Sequence, residues 1–251
     1  MGETTIAPSL PEDQTSDSFL SRAVGIFIAP GRTFESIARR PDFIAPLIVG
    51  IVGSIVLIEA MLGKIGAARI IRQSLEISGK AAHMTPEQLD QTVQKVVGFT
   101  AISMHVGGVI GVPIFLLVIA AVGLFIANVV FGASTDFKTC LSVVCYANLV
   151  LQVGVILGLI IVFMGDPEQF NPENPVPTMV GFFLNPRETS KVLYAVASSF
   201  DIFRVWFIVL CSLGLSVATR KKVGINAILL AYLGIWVLIV LGKVGMAAIA
   251  G

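Results

Sequence analysis

Long segments with almost no charge are the feature that most limits what this chain can fold into. The clearest one, Ile202–Thr219, carries a single charged residue, Arg204, and is followed by the basic triplet Arg220–Lys222. A helix of that length is about long enough to cross a hydrocarbon layer of about 30 Å. Only 13% of the whole chain is charged, against about a quarter in globular domains. The pattern predicts an all-α, polytopic integral membrane protein.

Five apolar segments are predicted to form one membrane domain, residues 19–251, as a bundle of five transmembrane helices. The predicted spans are about 44–62, 102–131, 138–164, 201–219 and 225–245. Residues 1–18 are polar and acidic and are expected to be disordered. Two short amphipathic helices follow, with Arg22 on the polar face of the first, and their pattern favours a position in the membrane interface.

The connections between the spans carry their own signals. Thr85, Pro86 and Gln88 have the pattern of a helix start, with a threonine cap, a proline at the first position and a capping box. The segment 165–187 is rich in proline and acidic residues and cannot hold a long helix. The dipeptide Asn185-Pro186 is predicted to begin the next amphipathic helix.

An odd number of spans places the two ends of the domain on opposite sides of the membrane. Lysine and arginine outside the spans divide evenly, eight to each side. Those on the side of residues 19–43 cluster tightly against span ends, where the positive-inside rule weighs them most. The prediction is an N-terminus on the cytoplasmic side.

Several polar residues fall inside or beside the predicted spans. Glu59 either reaches the interface near Lys64 or pairs with another helix, because an isolated charge at depth is costly. His105 has no second histidine or carboxylate at helical spacing, so a hydrogen bond to a neighbouring carbonyl is expected. Asn148 and Gln152 can hydrogen-bond between helices.

Asp201 and Arg204 lie three positions apart at the start of the fourth span, and such residues are neighbours on a helix. One interpretation is mutual neutralisation at the membrane boundary, with the arginine reaching outward. The other is a polar site that binds a lipid headgroup, an ion or a partner protein.

Small residues in the third span suggest close helix packing. Gly154 and Gly158 form a GxxxG motif, which serves packing inside the bundle or a homo-oligomer contact. Cys140, Cys145 and Cys211 lie in apolar segments and show neither metal-ligand nor disulfide spacing, so they are interpreted as buried small hydrophobic residues.

The sequence points away from several classes of function. A formal net charge of +1 argues against a nucleic-acid partner, which requires a basic face. Motifs of zinc proteases, serine hydrolases, phosphate-binding loops and dinucleotide sites do not occur in the sequence. The prediction is therefore a protein without cofactor or metal that is not an enzyme.

Four stretches resemble the Yip-domain family of multi-span membrane proteins, which is named for binding Ypt/Rab GTPases, and its bacterial members above all. These stretches are PGRTFESIA from Pro30, FGASTDFKTCLSVVCYA from Phe131, DIFRVWFIVLCSLGL from Asp201, and KKVGINAI from Lys221. The resemblance implies a five-span protein of a prokaryotic inner membrane with a cytoplasmic N-terminus. It assigns no catalytic residue.

Two functions remain open from the sequence. The first is a membrane-organising or partner-recruiting scaffold that contacts the lipid bilayer and membrane-protein partners. The second is a small transporter, channel or lipid-handling protein with a polar intramembrane site. That site would be formed by Glu59, His105, Asn148, Gln152, Asp201 and Arg204.

Overall fold

The computed structural model describes residues 18–168 and 170–249, and the predicted disordered N-terminus lies outside them except for Ser18. The described part is all-helical, as predicted, and its only extended pairing is one isolated antiparallel bridge. Its α-helices are α1 (Phe19–Ile28), α2 (Pro30–Arg39), α3 (Ile44–Lys64), α4 (Ala67–Ile77), α5 (Pro86–Val106), α6 (Val112–Phe125), α7 (Phe137–Ala147), α8 (Leu149–Met164), α9 (Lys191–Ala197), α10 (Ile202–Ala218) and α11 (Ile225–Ile249).

Four helical stretches in the described ranges are long and apolar enough to cross a membrane. They are Ile44–Lys64, Pro86–Val130, Phe137–Met164 and Ile225–Ile249. The remaining predicted span, 201–219, corresponds to α10, which is apolar but has only 17 residues. The chain is therefore a helical membrane protein with at least four segments of spanning length.

The second predicted span belongs to a much longer rod that begins at Pro86. Thr85 caps α5 by accepting a hydrogen bond from the amide of Gln88, whose side chain accepts one from the amide of Thr85. The predicted helix start is confirmed. The rod Pro86–Val130 has 45 residues, which corresponds to about 68 Å, so it extends well beyond a hydrocarbon layer.

Two π-helical segments, Gly107–Gly111 and Ile126–Val130, interrupt this rod without breaking it. At the first, the Ser54 hydroxyl of α3 donates to the carbonyl of Gly108 at 3.1 Å. A Cβ on Gly108 would lie only 2.7 Å from Ile58 Cδ1. Gly108 therefore permits a close helix contact, since a larger residue would push α3 away.

The core lies around α7 and α10, whose facing surfaces are almost fully buried. Short helix α2 packs against both of them and buries Phe34 and Ile37 completely. At α1, the ring of Phe19 lies 6.2 Å from that of Tyr146 in α7, and Phe27 packs edge-on against Trp206 in α10. The α1–α2 hairpin is therefore part of the bundle and not a loosely attached surface element.

One stripe of α1 stays exposed despite this packing. It consists of the large apolar side chains Leu20, Val24, Phe27 and Ile28. Their spacing places them on one helical face, which is the arrangement of a helix that lies in the membrane interface.

Arg22 of α1 corrects the sequence analysis, which placed it on the polar outer face. Its side chain is only 3% exposed. The guanidinium donates to the Ser36 hydroxyl at 3.2 Å, to the Arg40 carbonyl at 3.0 Å and to the Asp42 carboxylate at 3.2 Å. Arg22 thereby ties α1 to the last turn of α2 and to the segment that follows α2. Burial of its charge is tolerated because the guanidinium donors are hydrogen-bonded.

The segment between α8 and α9 has the irregular structure predicted for it, but the next helix does not begin at Asn185. It begins at Lys191, where the Ser190 side chain caps it. The Asn185 side chain instead accepts from the amide of Arg187 at 3.0 Å and donates to Glu188. This local turn competes with helix formation, as asparagine side chains commonly do.

The helix ends define two faces of the bundle. The near face holds α1, α2 and the turns 131–136 and 219–224, and an ion pair between Lys221 and Glu35 joins two of these parts. The far face holds the segments 65–85 and 165–190. At the near face Asp136 caps α7, and the hydrogen bond from the Thr139 side chain lowers the pKa of the Asp136 carboxyl.

Replacing Arg22 by methionine is expected to destabilise the protein by about 2 kcal/mol, because the Ser36 hydroxyl and the carbonyls of Ser36 and Arg40 lose their buried donor and half-exposed Asp42 loses its counter-ion. The measurement is the apparent melting temperature of the purified protein in detergent. Arg32→Met in α2 is the matched control, since Arg32 is exposed and surface changes usually stay within about 0.5 kcal/mol. Equal melting temperatures for the two variants would contradict the anchoring role of Arg22.

Candidate functional site

A cavity of about 630 Å³ lies between α6, α8, α10, α11 and the irregular 165–190 segment. Most of its lining side chains are aliphatic or aromatic, and its charged residues are Asp201 and Arg204. Along α10 it runs from Asp201 to Cys211, a distance of about 15 Å. It therefore occupies the half of the bundle next to the far face.

The cavity exists because two helices that flank it separate towards the far face. Helix α11 contacts the segment Ile126–Val130 near one end and α9 near the other, and it packs along α10. Where α6 and α11 diverge, Tyr232 reaches across, with its hydroxyl 3.5 Å from the carbonyl of Ile119. Three lining side chains, Phe115, Val118 and Ile239, remain 45%, 54% and 66% exposed. The cavity is thus open sideways to the surroundings of the bundle.

Backbone pairing fixes the irregular segment at the far-face end of the cavity. Met179 and Asp201 form the antiparallel bridge, in which the amide of Val180 donates to the carbonyl of Phe200 at 3.0 Å. The amide of Ile202 donates in turn to the carbonyl of Thr178 at 3.3 Å. This pairing holds the irregular segment over the start of α10.

A buried asparagine fixes the same segment from inside. Asn174 is fully buried and donates to the Tyr194 hydroxyl at 2.7 Å and to the Ser198 hydroxyl at 2.8 Å. Both partners belong to α9 or its C-terminal cap. The cover of the cavity is consequently anchored to α9 as well as to α10.

Asp201 and Arg204 line the far-face end of this cavity, which is called its mouth below, and they have different roles there. Asp201 is the N-cap of α10, and its carboxylate accepts from the amide of Phe203 at 3.1 Å. No ion pair joins it to Arg204 among the described residues. Arg204 is exposed, and in the described part of the chain its guanidinium makes neither a hydrogen bond nor an ion pair with protein. The sequence interpretation of mutual neutralisation therefore lacks a direct contact.

Glu59 and His105 form a second, separate polar position. His105 Nε2 lies 2.7 Å from Glu59 Oε1, and Nδ1 lies 2.7 Å from the carbonyl of Ala101. The carbonyl can only accept, so Nδ1 carries a proton and one further proton lies between Nε2 and the carboxylate. The expected carbonyl contact is present, but the expectation that no carboxylate assists His105 is wrong, because Glu59 approaches from α3.

Asn148 and Gln152 form a third position, where α8 begins. Asn148 is 4% exposed. A Cβ on Gly50 of α3 would lie 2.8 Å from its amide nitrogen, and one on Gly53 would lie 2.1 Å from Gln152 Oε1. The two glycines let α3 approach the polar side chains closely, which is typical of packing between membrane helices.

The six candidate residues therefore occupy three places and do not share one cavity. Sequence reasoning missed the roles of buried Arg22, of buried Asn174 and of Trp236, which lines the cavity. None of the three has a distinguishing motif around it. Within residues 18–168 and 170–249, no group of three His, Cys, Asp or Glu side chains is placed to hold a metal ion. The three cysteines are buried, as expected.

The GxxxG glycines have neighbours within the chain. A Cβ on Gly154 would meet the ring of Phe203 at 3.4 Å, and one on Gly158 would meet Leu57 at 3.4 Å. Both glycines also line the cavity. Their small size is used inside the bundle, so these contacts give no support to a homo-oligomer through Gly154 and Gly158.

The apolar helices, the near-face hairpin and the laterally open cavity define a polytopic helical membrane protein. Comparison with known proteins identifies its family. The family model of the Yip1 domain matches residues 24–242, and the chain belongs to this family. It is similar to the membrane protein YknW of Bacillus subtilis (strain 168), with 29% identity over 210 residues that cover 82% of this chain and 83% of that protein. No solved structure gives a significant match.

The contact between Glu59 and His105 predicts non-additive mutational effects. His105→Ala leaves the Glu59 carboxylate without its partner at the edge of a membrane helix, so this variant should lose more stability than Glu59→Gln/His105→Ala together. The measurement is a double-mutant cycle of melting temperatures in detergent. Additive effects of the two single changes would show that the pair is not coupled.

Proposed function

We propose that this Yip1-family protein is a non-enzymatic scaffold that organises the membrane or recruits partners from its near face. The observation that carries the proposal is the α1–α2 hairpin. Arg22 holds its two helices together and the fully buried Phe34 and Ile37 fix it to the bundle, while α1 presents an exposed apolar stripe. A rigidly held amphipathic helix is suited to displacing lipid headgroups in one leaflet.

The separation of the polar residues supports the same proposal. A transporter or channel requires polar groups that line a continuous path. Glu59 and His105, Asn148 and Gln152, and Asp201 and Arg204 lie instead at three separate positions. An enzymatic role also lacks support, since the described residues near the cavity include no nucleophile paired with a base.

We infer five spans and a cytoplasmic near face in a prokaryotic inner membrane. The count of five is supported by α10, the predicted fourth span, which starts beside the far-face bridge and ends at the near-face turn that pairs with Glu35. The orientation is supported by charge: residues 18–43, 131–138 and 219–224 contain eight basic and three acidic residues. Basic residues this close to span ends favour the cytoplasmic side, whose anionic lipids attract them.

A lipid-handling role is the second candidate function, and the cavity is the observation that favours it. Its apolar lining and its opening towards the bilayer suit a lipid chain better than a water-soluble substrate. This role and the scaffold role involve opposite faces of the bundle and do not exclude each other.

The orientation is tested by single-cysteine labelling of intact cells with a membrane-impermeant maleimide. The three native cysteines are buried, so they give little background. We expect Glu173→Cys on the far face to be labelled and Lys222→Cys on the near face to be labelled only after permeabilisation. The reverse pattern would overturn the orientation, and labelling of both in intact cells would overturn the assignment of α10 as a span.

The scaffold role is tested with membrane tubes pulled from giant vesicles that contain the protein. The wild type is expected to concentrate in the curved tube, and Leu20→Ser/Val24→Ser/Ile28→Ser is expected to distribute evenly, because its α1 stripe no longer inserts. Phe183→Ser, at a large exposed side chain of the far face, is the control and should sort like the wild type. Equal sorting of the wild type and the triple variant would contradict the proposal.

A further inference from the structure

We propose that the cavity between α6, α8, α10 and α11 holds one acyl chain of a phospholipid whose headgroup carries a phosphate and a primary ammonium. The phosphate would bind Arg204 and the ammonium would bind Asp201. This inference rests on the lipid-handling candidate function and deepens it by naming the occupant, and it is independent of the scaffold role of the near face.

The volume and lining of the cavity argue for an apolar chain. At about 630 Å³ it lies within the range of about 300–1,000 Å³ that small-molecule sites occupy. Its walls below the mouth are almost entirely hydrocarbon, from Phe115 and Val118 on one side to Ile235 and Ile239 on the other. An empty space of this size would forfeit dispersion contacts along its whole lining. Inside a bilayer, lipid tails are the apolar molecules at hand to fill it.

The route of entry follows from exposure. Phe115, Val118 and Ile239 line the cavity and are also 45%, 54% and 66% exposed. The gap between α6 and α11 therefore faces the hydrocarbon directly. A tail can enter sideways while its headgroup remains at the far-face interface, where Asp201 and Arg204 line the cavity.

The charges at the mouth select the headgroup. Arg204 is exposed and has no protein partner in the described part of the chain, so its donors are available to a ligand at the interface. A guanidinium binds phosphate through two parallel hydrogen bonds. Asp201 adds a negative charge three residues away, so the mouth is neutral in sum. A headgroup with one charge of each sign matches this pair better than an anionic one. A primary ammonium, unlike a quaternary one, can also donate hydrogen bonds to the Asp201 carboxylate.

The chain contains its own reporter for this site. Of its two tryptophans, Trp236 lines the cavity and packs edge-on against Phe200, with ring centroids 5.0 Å apart. Trp206 lies outside the cavity, against Phe27. In a Trp206→Phe background, tryptophan fluorescence therefore reports on Trp236 alone.

The experiment uses the full chain with Trp206→Phe in phosphatidylcholine vesicles that contain a small fraction of lipid with brominated acyl chains, which quench tryptophan on contact. Brominated phosphatidylethanolamine is expected to quench Trp236 more strongly than brominated phosphatidylcholine or phosphatidylglycerol at the same fraction. Equal quenching by the three lipids would overturn the site. Stronger quenching by phosphatidylglycerol would overturn the assignment of a zwitterionic headgroup.

Variants of the mouth test the residue roles. Arg204→Gln and Asp201→Asn should each abolish the preference for phosphatidylethanolamine, and asparagine caps a helix as well as aspartate, so α10 should stay intact. Lys243→Gln, which removes another cation from the far half of α11, is the matched control and should keep the preference. A preference that survives both mouth variants would overturn the roles of Asp201 and Arg204.

A variant that fills the cavity tests occupancy without touching the charges. Val155→Phe places a larger side chain in the lining and should lower quenching by brominated phosphatidylethanolamine to that of the phosphatidylcholine control. Val237→Phe, on the exposed side of α11 outside the cavity, should leave it unchanged. Unaltered quenching in Val155→Phe would contradict an acyl chain in the cavity. We expect the same variants to concentrate in membrane tubes like the wild type. A failure of the proposed lipid site can therefore be distinguished from a failure of the scaffold role.

Discussion

In the hydrocarbon layer no water is available to solvate a polar group, so each charged or amide side chain must find a partner in the protein or in the lipid. Three charged positions of this chain show different responses to the requirement. Arg22 uses hydrogen-bond acceptors of its own hairpin, with distances from 3.0 to 3.3 Å. His105 and Glu59 neutralise each other across two helices. Arg204 has no such protein partner in the described residues, and the proposed lipid headgroup would supply one.

The two faces of the bundle differ in how they are held together. The near face combines a buried arginine, two fully buried apolar side chains of α2 and an excess of basic residues. The far face relies on backbone pairing and on the buried amide of Asn174. A tightly anchored amphipathic hairpin suits the shaping of a leaflet, whereas a cavity that is covered by irregular backbone suits the admission of a small apolar group.

The sequence was sufficient where the signal is local. Apolar runs located the helices, and the threonine cap with its capping box located the start of α5. The sequence did not predict contacts in which a residue's partner lies far away along the chain. Glu59 and His105 are 46 residues apart, so helical spacing could not reveal their contact. Arg22 looked like a surface residue because its acceptors lie beyond α1. The cavity depends on how far α6 and α11 separate, which apolar periodicity does not encode.

The rod Pro86–Val130 carries a mechanical consequence. Its outer part, α5, has 21 residues, and an arm of roughly 32 Å moves its tip by roughly 5 Å for a tilt of about 10°. The Arg72–Asp90 ion pair joins this arm to α4, and Gln73 of α4 donates to the carbonyls of Pro167 and Glu168. Small rotations of the membrane part are thus magnified outside the bilayer and carried to the segment that covers the cavity.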